Sequence, residues 1–445
     1  MTYPAGYSPT GLIRDALSKK SDRALSALET RTGHSWRMAL DRAQILPEAR
    51  DLPAALNLFI RTAAGARVTD LDGNAFIDLS MGYGAQILGH NHPLARDAVR
   101  AQAERGWDFG LPGADQLELA RLIQTASPAN ERVLLCNSGE EAYKAAVLAA
   151  QRFTGAAEIA VFAPSTPMLE PAEAGLSLPY GDVAAFDRIR ARKETLAAII
   201  VEPVRAADPT LAHVAWLNDL MAVAHAIGVP VIFDETYTGF RLAFGGAQEL
   251  LGLMPDLTIY GRAVGGGLPL GAVAGRPDIM AACGQAVGEF PGNPISTAAG
   301  VATLRELLAQ RASIYPKLNE SGRKLADDFN AVCAAERLPV AMNAVGSMFR
   351  IVFEDTAAEG AFYLFALSRS IFINTSRLGF LSAAHRGAEL DYVASALAES
   401  LRDVRDDGLF TAMASGGLGP GVSSKAAQLR AQPLRRGDIR PGEMS

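Results

Sequence analysis

The spacing of apolar residues along this 445-residue chain changes several times, and each change marks an element. Residues up to about 50 carry a helical spacing and read as an N-terminal arm. From Arg67 to Asp78 apolar and polar residues alternate about Asp72-Gly73, a turn pair that tolerates positive φ, which predicts a hairpin. Between about residues 86 and 290, helical stretches alternate with short apolar runs at Val133–Cys136, Ile159–Phe162, Ala197–Val201 and Val229–Phe233. Strands separated by helices at that spacing predict a mainly parallel sheet covered on both faces. Helical spacing returns from about 295 to 340, Ser347–Phe353 and Ile371–Asn374 read as strands, and a last helix is expected near 387–406. Past Phe410 the spacing disappears, and the glycines of Gly416-Gly417-Leu418-Gly419-Pro420-Gly421 follow no strand, so that stretch reads as flexible tail and not as a nucleotide loop. The expected organisation is arm and small-domain hairpin (1–85), large α/β domain (86–290), linking helices with the rest of an α+β small domain (291–410), and tail (411–445).

Composition narrows the partners. A net charge of -6, spread without acidic or basic blocks, gives no electrostatic footprint for nucleic acid and little attraction to an anionic membrane. The chain opens without a basic and then apolar leader, and no apolar run nears the ~20 residues of a membrane helix, so a cytoplasmic protein is expected. Cys136, Cys283 and Cys333 are too scattered for a disulfide framework or zinc site. His90 and His92 have no acidic or thiol companions at ligand spacing, so no metal is expected.

Several segments are specific. Leu88-Gly89-His90-Asn91-His92-Pro93, Asn137-Ser138-Gly139, Phe233-Asp234-Glu235-Thr236-Tyr237-Thr238-Gly239-Phe240-Arg241, Gly245-Gly246-Ala247-Gln248, Gly292-Asn293-Pro294, Val345-Gly346-Ser347-Met348-Phe349 and Ser382-Ala383-Ala384-His385 occur in that order. Together they resemble glutamate-1-semialdehyde aminomutases and other class III aminotransferases, over about residues 45–405. The resemblance implies an α/β protein of the type I pyridoxal-phosphate (PLP) fold and a homodimer with shared sites. It also implies a PLP site in which Ser138 and Gly139 hold phosphate at a helix N-terminus and Asp234 pairs with the pyridine nitrogen.

The departures from that family gather at the cofactor. Arg262, in Ile259-Tyr260-Gly261-Arg262-Ala263-Val264, stands where the family has its Schiff-base lysine. A guanidinium with a pKa above ~12 has almost no neutral nitrogen with which to attack an aldehyde. Glu140 replaces a phosphate-binding threonine after Ser138-Gly139. Glu289 replaces a second one, which in the family reaches over from the other subunit. One ionised carboxylate at ~4 Å and an effective dielectric near 20 costs a bound anion about 4 kcal/mol per unit of charge. The segment between Phe162 and Ala197 also lacks the family's Tyr-His-Gly-His-like motif, offering only Ala163-Pro164-Ser165-Thr166-Pro167-Met168-Leu169.

No PLP Schiff base is therefore expected, and PLP would bind only weakly or noncovalently. Asp234 is left either to hold a pyridoxal compound or to pair with Arg262; the pairing is preferred, since a buried charge is penalised unless compensated. Glu140 also has a structural reading, because Ser138 as N-cap with Glu141 three residues on makes a capping box. Cys136 and His385 read as structural. Glu202, in Val201-Glu202-Pro203, ends a central strand on the ligand-binding side of such sheets and is a possible acid or base. The leading expectation is a repurposed PLP-independent enzyme for a small polar metabolite. In it Arg262 anchors an anionic group, and Glu140, Glu289, Glu202 and Asp234 bind a cation or move protons. The alternatives are a noncatalytic pseudoenzyme plugged by salt bridges, and a supporting subunit of an active paralogue.

Overall fold

In the computed structural model the described residues are 19–35, 37–39, 58–162, 175–284, 288–354, 356–374 and 378–410. The expected tail and the 163–169 segment lie outside them, as does most of the expected arm; its described part includes the helix Lys19–Arg31. The hairpin forms from β1 (Ile60–Ala64), β2 (Arg67–Asp70) and β3 (Ala75–Asp78), with Gly73 at φ 86° in the turn. The next strands are β4 (Arg132–Cys136), β5 (Glu158–Phe162), β6 (Gly175–Leu178), β7 (Leu196–Val201), β8 (Val231–Glu235), β9 (Leu257–Tyr260) and β10 (Gly271–Gly275). The last are β11 (Val340–Val345), β12 (Met348–Phe353), β13 (Ile371–Phe372) and β14 (Leu378–Phe380).

Seven strands, in the order β4-β10-β9-β8-β7-β5-β6, make the large sheet. Its β9, β8, β7, β5 and β6 run parallel, whereas β10 is antiparallel to both neighbours. All six residues of β7 and all four of β9 are buried, as required of strands covered on both faces. Gly-Ala-Val-Ala-Gly in β10 has little apolar contrast and low strand propensity, so alternation alone does not mark it. Close packing explains its first glycine, because a Cβ at Gly271 would sit 2.1 Å from the Ser138 carbonyl oxygen. The hairpin strands pair with β13 in a four-stranded sheet, and β11, β12 and β14 form a third.

Two buried ionic side chains tie these layers. Glu235, fully buried at the end of β8, accepts from Ala247 N (2.6 Å), Gln248 N (3.0 Å) and Thr238 Oγ1 (2.9 Å). Burial pushes its carboxyl up to about 7. Arg241, also fully buried, donates to Ser347 Oγ (3.0 Å), the Leu381 carbonyl (3.0 Å) and the Gly84 carbonyl, and its guanidinium lies 4.9 Å from the centre of the Phe380 ring. Burial pulls it down to about 10. All three cysteines are buried and free; burial raises each thiol, Cys136 and Cys333 to about 12. Among the described residues no helix is long and apolar enough to cross a membrane.

Candidate functional site

Parallel strands deliver their next residues to one edge of the sheet, which is where α/β proteins hold ligands. The register Val201↔Phe233 puts Glu202 beside Asp234 as β7 and β8 end, and the register Glu235↔Tyr260 brings Gly261 and Arg262 out of β9 alongside. On the β4 side the chain turns into the helix Gly139–Thr154, with Ser138 as N-cap accepting from Glu141 N (3.1 Å). Glu141 does not complete the reciprocal half of the capping box at Ser138. It takes Asn137 N (2.9 Å) and Asn137 Nδ2 (3.1 Å) instead, fixing the turn one residue earlier. Thr236 closes the gap between these pieces: a Cβ on Gly139 or on Gly261 would lie 3.0 Å from its methyl group.

Asp234 is partly buried, and its Oδ1 accepts from Thr236 N (3.0 Å). Burial first, and then the charge of Glu202, push its carboxyl up to about 6. Tyr143, buried a turn into the helix, feels both carboxylates, and its hydroxyl is pushed up chiefly by burial. Glu202 Oε2 also accepts from Ala206 N (2.9 Å), which holds the acid at the strand end.

The preferred pairing of Arg262 with Asp234 is not what forms. Among the described residues no carboxylate lies within ion-pair distance of Arg262, and its guanidinium sits 5.3 Å from the Tyr83 ring centre and 5.4 Å from that of Tyr237. Aromatic faces compensate the cation in place of an acid. Glu140 also differs from its expected place: it is exposed and pairs with Lys144 at 2.8 Å, an i,i+4 contact on the helix surface. Glu289 is exposed too, with its backbone carbonyl accepting from Asn137 Nδ2 of the same chain. Within one chain the structure thus gathers Asp234, Glu202, Ser138, Gly139 and Arg262, with Glu140 at the helix surface; the place expected for Glu289 is the site of the other subunit, and in its own chain it lies at the surface. Sequence reasoning missed Tyr83, Tyr143, Thr236 and Tyr237. The Thr236-Tyr237 pair immediately follows Asp234-Glu235 and was open to notice; Tyr83 and Tyr143 carry no local signal.

His90 Nε2 meets Asp78 at 2.7 Å, and His385 is held through Nδ1 by Ser382 N (3.0 Å) and lowered to about 4 by burial. A groove of ≈ 440 Å³ between the helices Arg311–Glu336 and Gly387–Asp406, lined by Lys317, Lys324 and Leu390 among others, is separate from the strand-end site.

The pattern of the class-III aminotransferases matches residues 49–165 and 179–381. The chain belongs to the class III aminotransferase family. Glutamate-1-semialdehyde 2,1-aminomutases are among this homologue's relatives: that of Methanoregula boonei is 36% identical over 374 residues, covering 74% of this chain and 89% of its own. That of Myxococcus xanthus is 36% identical over 398 residues, covering 79% and 92%. Among solved structures, a β-phenylalanine aminotransferase from Variovorax paradoxus superposes with TM-score 0.79 at 27% identity, covering 88% of this chain and 98% of that one. An aminomutase lysine-to-alanine variant from Pseudomonas aeruginosa in complex with PMP gives TM-score 0.75 at 20% identity, covering 86% and 98%. These fix the type I PLP fold for this aminotransferase homologue.

A PLP group tests the site from two sides. The helix N-terminus at Ser138-Gly139 suits a phosphate, and Asp234 suits a ring nitrogen. The side chain at the end of β9 is a guanidinium, and the nearest described lysine in sequence to the phosphate turn, Lys144, is held at the surface by Glu140. A guanidinium at that position does not itself form an imine.

Proposed function

We propose that this class III aminotransferase homologue has lost PLP Schiff-base chemistry and acts, without that cofactor, on a small polar metabolite bearing amino and carboxylate groups. The observation that carries this reading is the placement of Arg262: a cation that cannot become an imine, leaning on two tyrosines at the end of β9. On the neighbouring strand ends, Asp234 and Glu202 supply two acids, and Asp234, raised to about 6, can take up and release a proton in mildly acidic solution. The site's chemistry is then proton transfer and charge stabilisation. The plugged-pseudoenzyme alternative draws no support from this chain's own acids, none of which, among the described residues, is paired with Arg262.

The test is direct. Protein incubated with PLP and then reduced with borohydride is expected to carry no pyridoxyl adduct on any lysine, and Arg262→Lys alone is not expected to restore a stoichiometric one. An adduct mapped by mass spectrometry in the wild-type chain would refute the reading. Because the Pseudomonas variant was solved with PMP, noncovalent retention is assayed separately by desalting, and only weak retention is expected.

The same reading includes a homodimer. Trp107, Leu111 and Phe290 are 73%, 76% and 60% exposed in the single chain, large apolar side chains that a second subunit would cover. Sedimentation at micromolar concentration is expected to give a dimer, and charged replacements at Leu111 to shift it toward monomer. A wild-type chain that sediments as a stable monomer would contradict this assembly.

A further inference from the structure

Arg262 belongs to a column of cations and rings. Arg241 lies 4.9 Å from the Phe380 ring centre, Phe380 stacks on Tyr237 at 6.0 Å and 17°, Tyr237 lies 5.4 Å from the Arg262 guanidinium, and Tyr83 lies 5.3 Å from it on the chain's other arm. Gly84 closes the circuit. Its carbonyl accepts from Arg241, and a Cβ there would stand 2.8 Å from Phe380, so the residue that follows Tyr83 is pinned to the same buried arginine. Tyr83 and Arg262 both sit in the left-handed region, at φ 55° and 50°, a conformation that persists only where surroundings impose it.

Arg262 is partly exposed, and among the described residues none of its N–H donors has a hydrogen-bond partner. A guanidinium whose position is set by aromatic rings, while its donors stay uncommitted, is prepared to meet an oxyanion through two parallel hydrogen bonds. The neighbouring strand ends bear on which oxyanion. Asp234 and Glu202 oppose negative charge there in proportion to its size, twice as strongly for a dianionic phosphate as for a singly charged carboxylate, while the Ser138-Gly139 helix N-terminus favours an anion of either kind.

Resting on the reading that no Schiff base forms here, we infer that Arg262 is a carboxylate-binding residue, with Tyr83 and Tyr237 as positioning residues that hold its guanidinium in place. The group recognised is a planar monoanionic carboxylate.

Ligand-observed NMR titration of the PLP-free dimer with butyrate, with butyramide as the neutral isostere and inorganic phosphate as the dianionic competitor, tests this. Butyrate is expected to saturate below about 20 mM, with butyramide and phosphate each at least ~10-fold weaker. Arg262→Gln is expected to weaken butyrate by ~10-fold or more. Arg262→Lys keeps the charge without the fork and should lose ~3-fold or more. Tyr237→Phe is expected to bind within about 2-fold of wild type and Tyr237→Leu to lose several-fold, a difference that a purely structural role would not produce. No saturation by butyrate, tighter binding of phosphate, or wild-type binding by Arg262→Gln or Arg262→Lys would each overturn the inference. A lysine adduct after borohydride would instead strike the cofactor-free reading, and the butyrate comparison across the Arg262 variants would still be decided on its own.

Discussion

Arg241→Ala is expected to destabilise the fold by roughly 3–5 kcal/mol, the largest effect of any single change considered. The side chain is wholly buried and donates to two carbonyls and the Ser347 hydroxyl, so truncation leaves three acceptors without that donor and opens a hole against Phe380. The desolvation cost already paid to bury the cation, visible in its lowering to about 10, offsets only part of this. Arg241→Met, which refills the volume but offers no donors, should recover the cavity share and remain about 1–3 kcal/mol below wild type. Urea melts of the two variants check this. A cost below about 1 kcal/mol for alanine would mean that the Gly84, Ser347 and Leu381 segments hold together without it.

Asp234→Asn is expected to do the opposite and stabilise the protein near pH 7.5, by on the order of 2 kcal/mol. The Asp234 carboxyl has an ordinary value of 3.8 and is raised to about 6 in the folded chain, by burial and then by Glu202. With a raised acid the folded state keeps a proton that the unfolded state has released, so stability declines as pH rises between about 4 and 6 and the loss is complete above that window. Asparagine keeps the acceptor for Thr236 N and removes the charge. Its benefit should therefore vanish at pH 3.5 and be full at pH 7.5. A bound pyridinium would reverse the sign, since a cation beside Asp234 favours the ionised form. Denaturation of the variant at both pH values thus also reports on whether a cofactor occupies the site: a destabilised variant at pH 7.5 would count against the cofactor-free proposal.

Much of the architecture was readable because burial on two faces writes continuous apolar runs into β5, β7 and β8, and an Asp-Gly turn writes a hairpin. The helix Gly387–Asp406 coincides with its expected span. β10 was not readable, since its small residues are chosen by the backbone of Ser138 pressing on Gly271 and not by apolar area. At the site, the strand-end position of Glu202 followed from the alternation of strand and helix, whereas Asp234 and Arg262 were placed there by the family resemblance and β9 was not among the expected strands. The partners of Arg262 followed from neither. Counting charges favoured an acid as its mate, whereas the fold supplies rings from residues 83 and 237, a long-range juxtaposition that no local spacing encodes. Glu140 is engaged more locally: a first-turn glutamate has a lysine four residues on, and that pair forms on the helix surface.

The burial of Cys136, Cys283 and Cys333 has a practical side. With every native thiol shielded and its thiolate form suppressed, a thiol-selective reagent added to the folded chain has nothing to alkylate, and modification counts only molecules that have opened. The protein therefore carries an internal clock for its own opening, readable at native pH without denaturant. The same silence makes a single reporter dye attached through Leu111→Cys unambiguous, since its signal would come from one known address, on the face that the dimer is expected to cover.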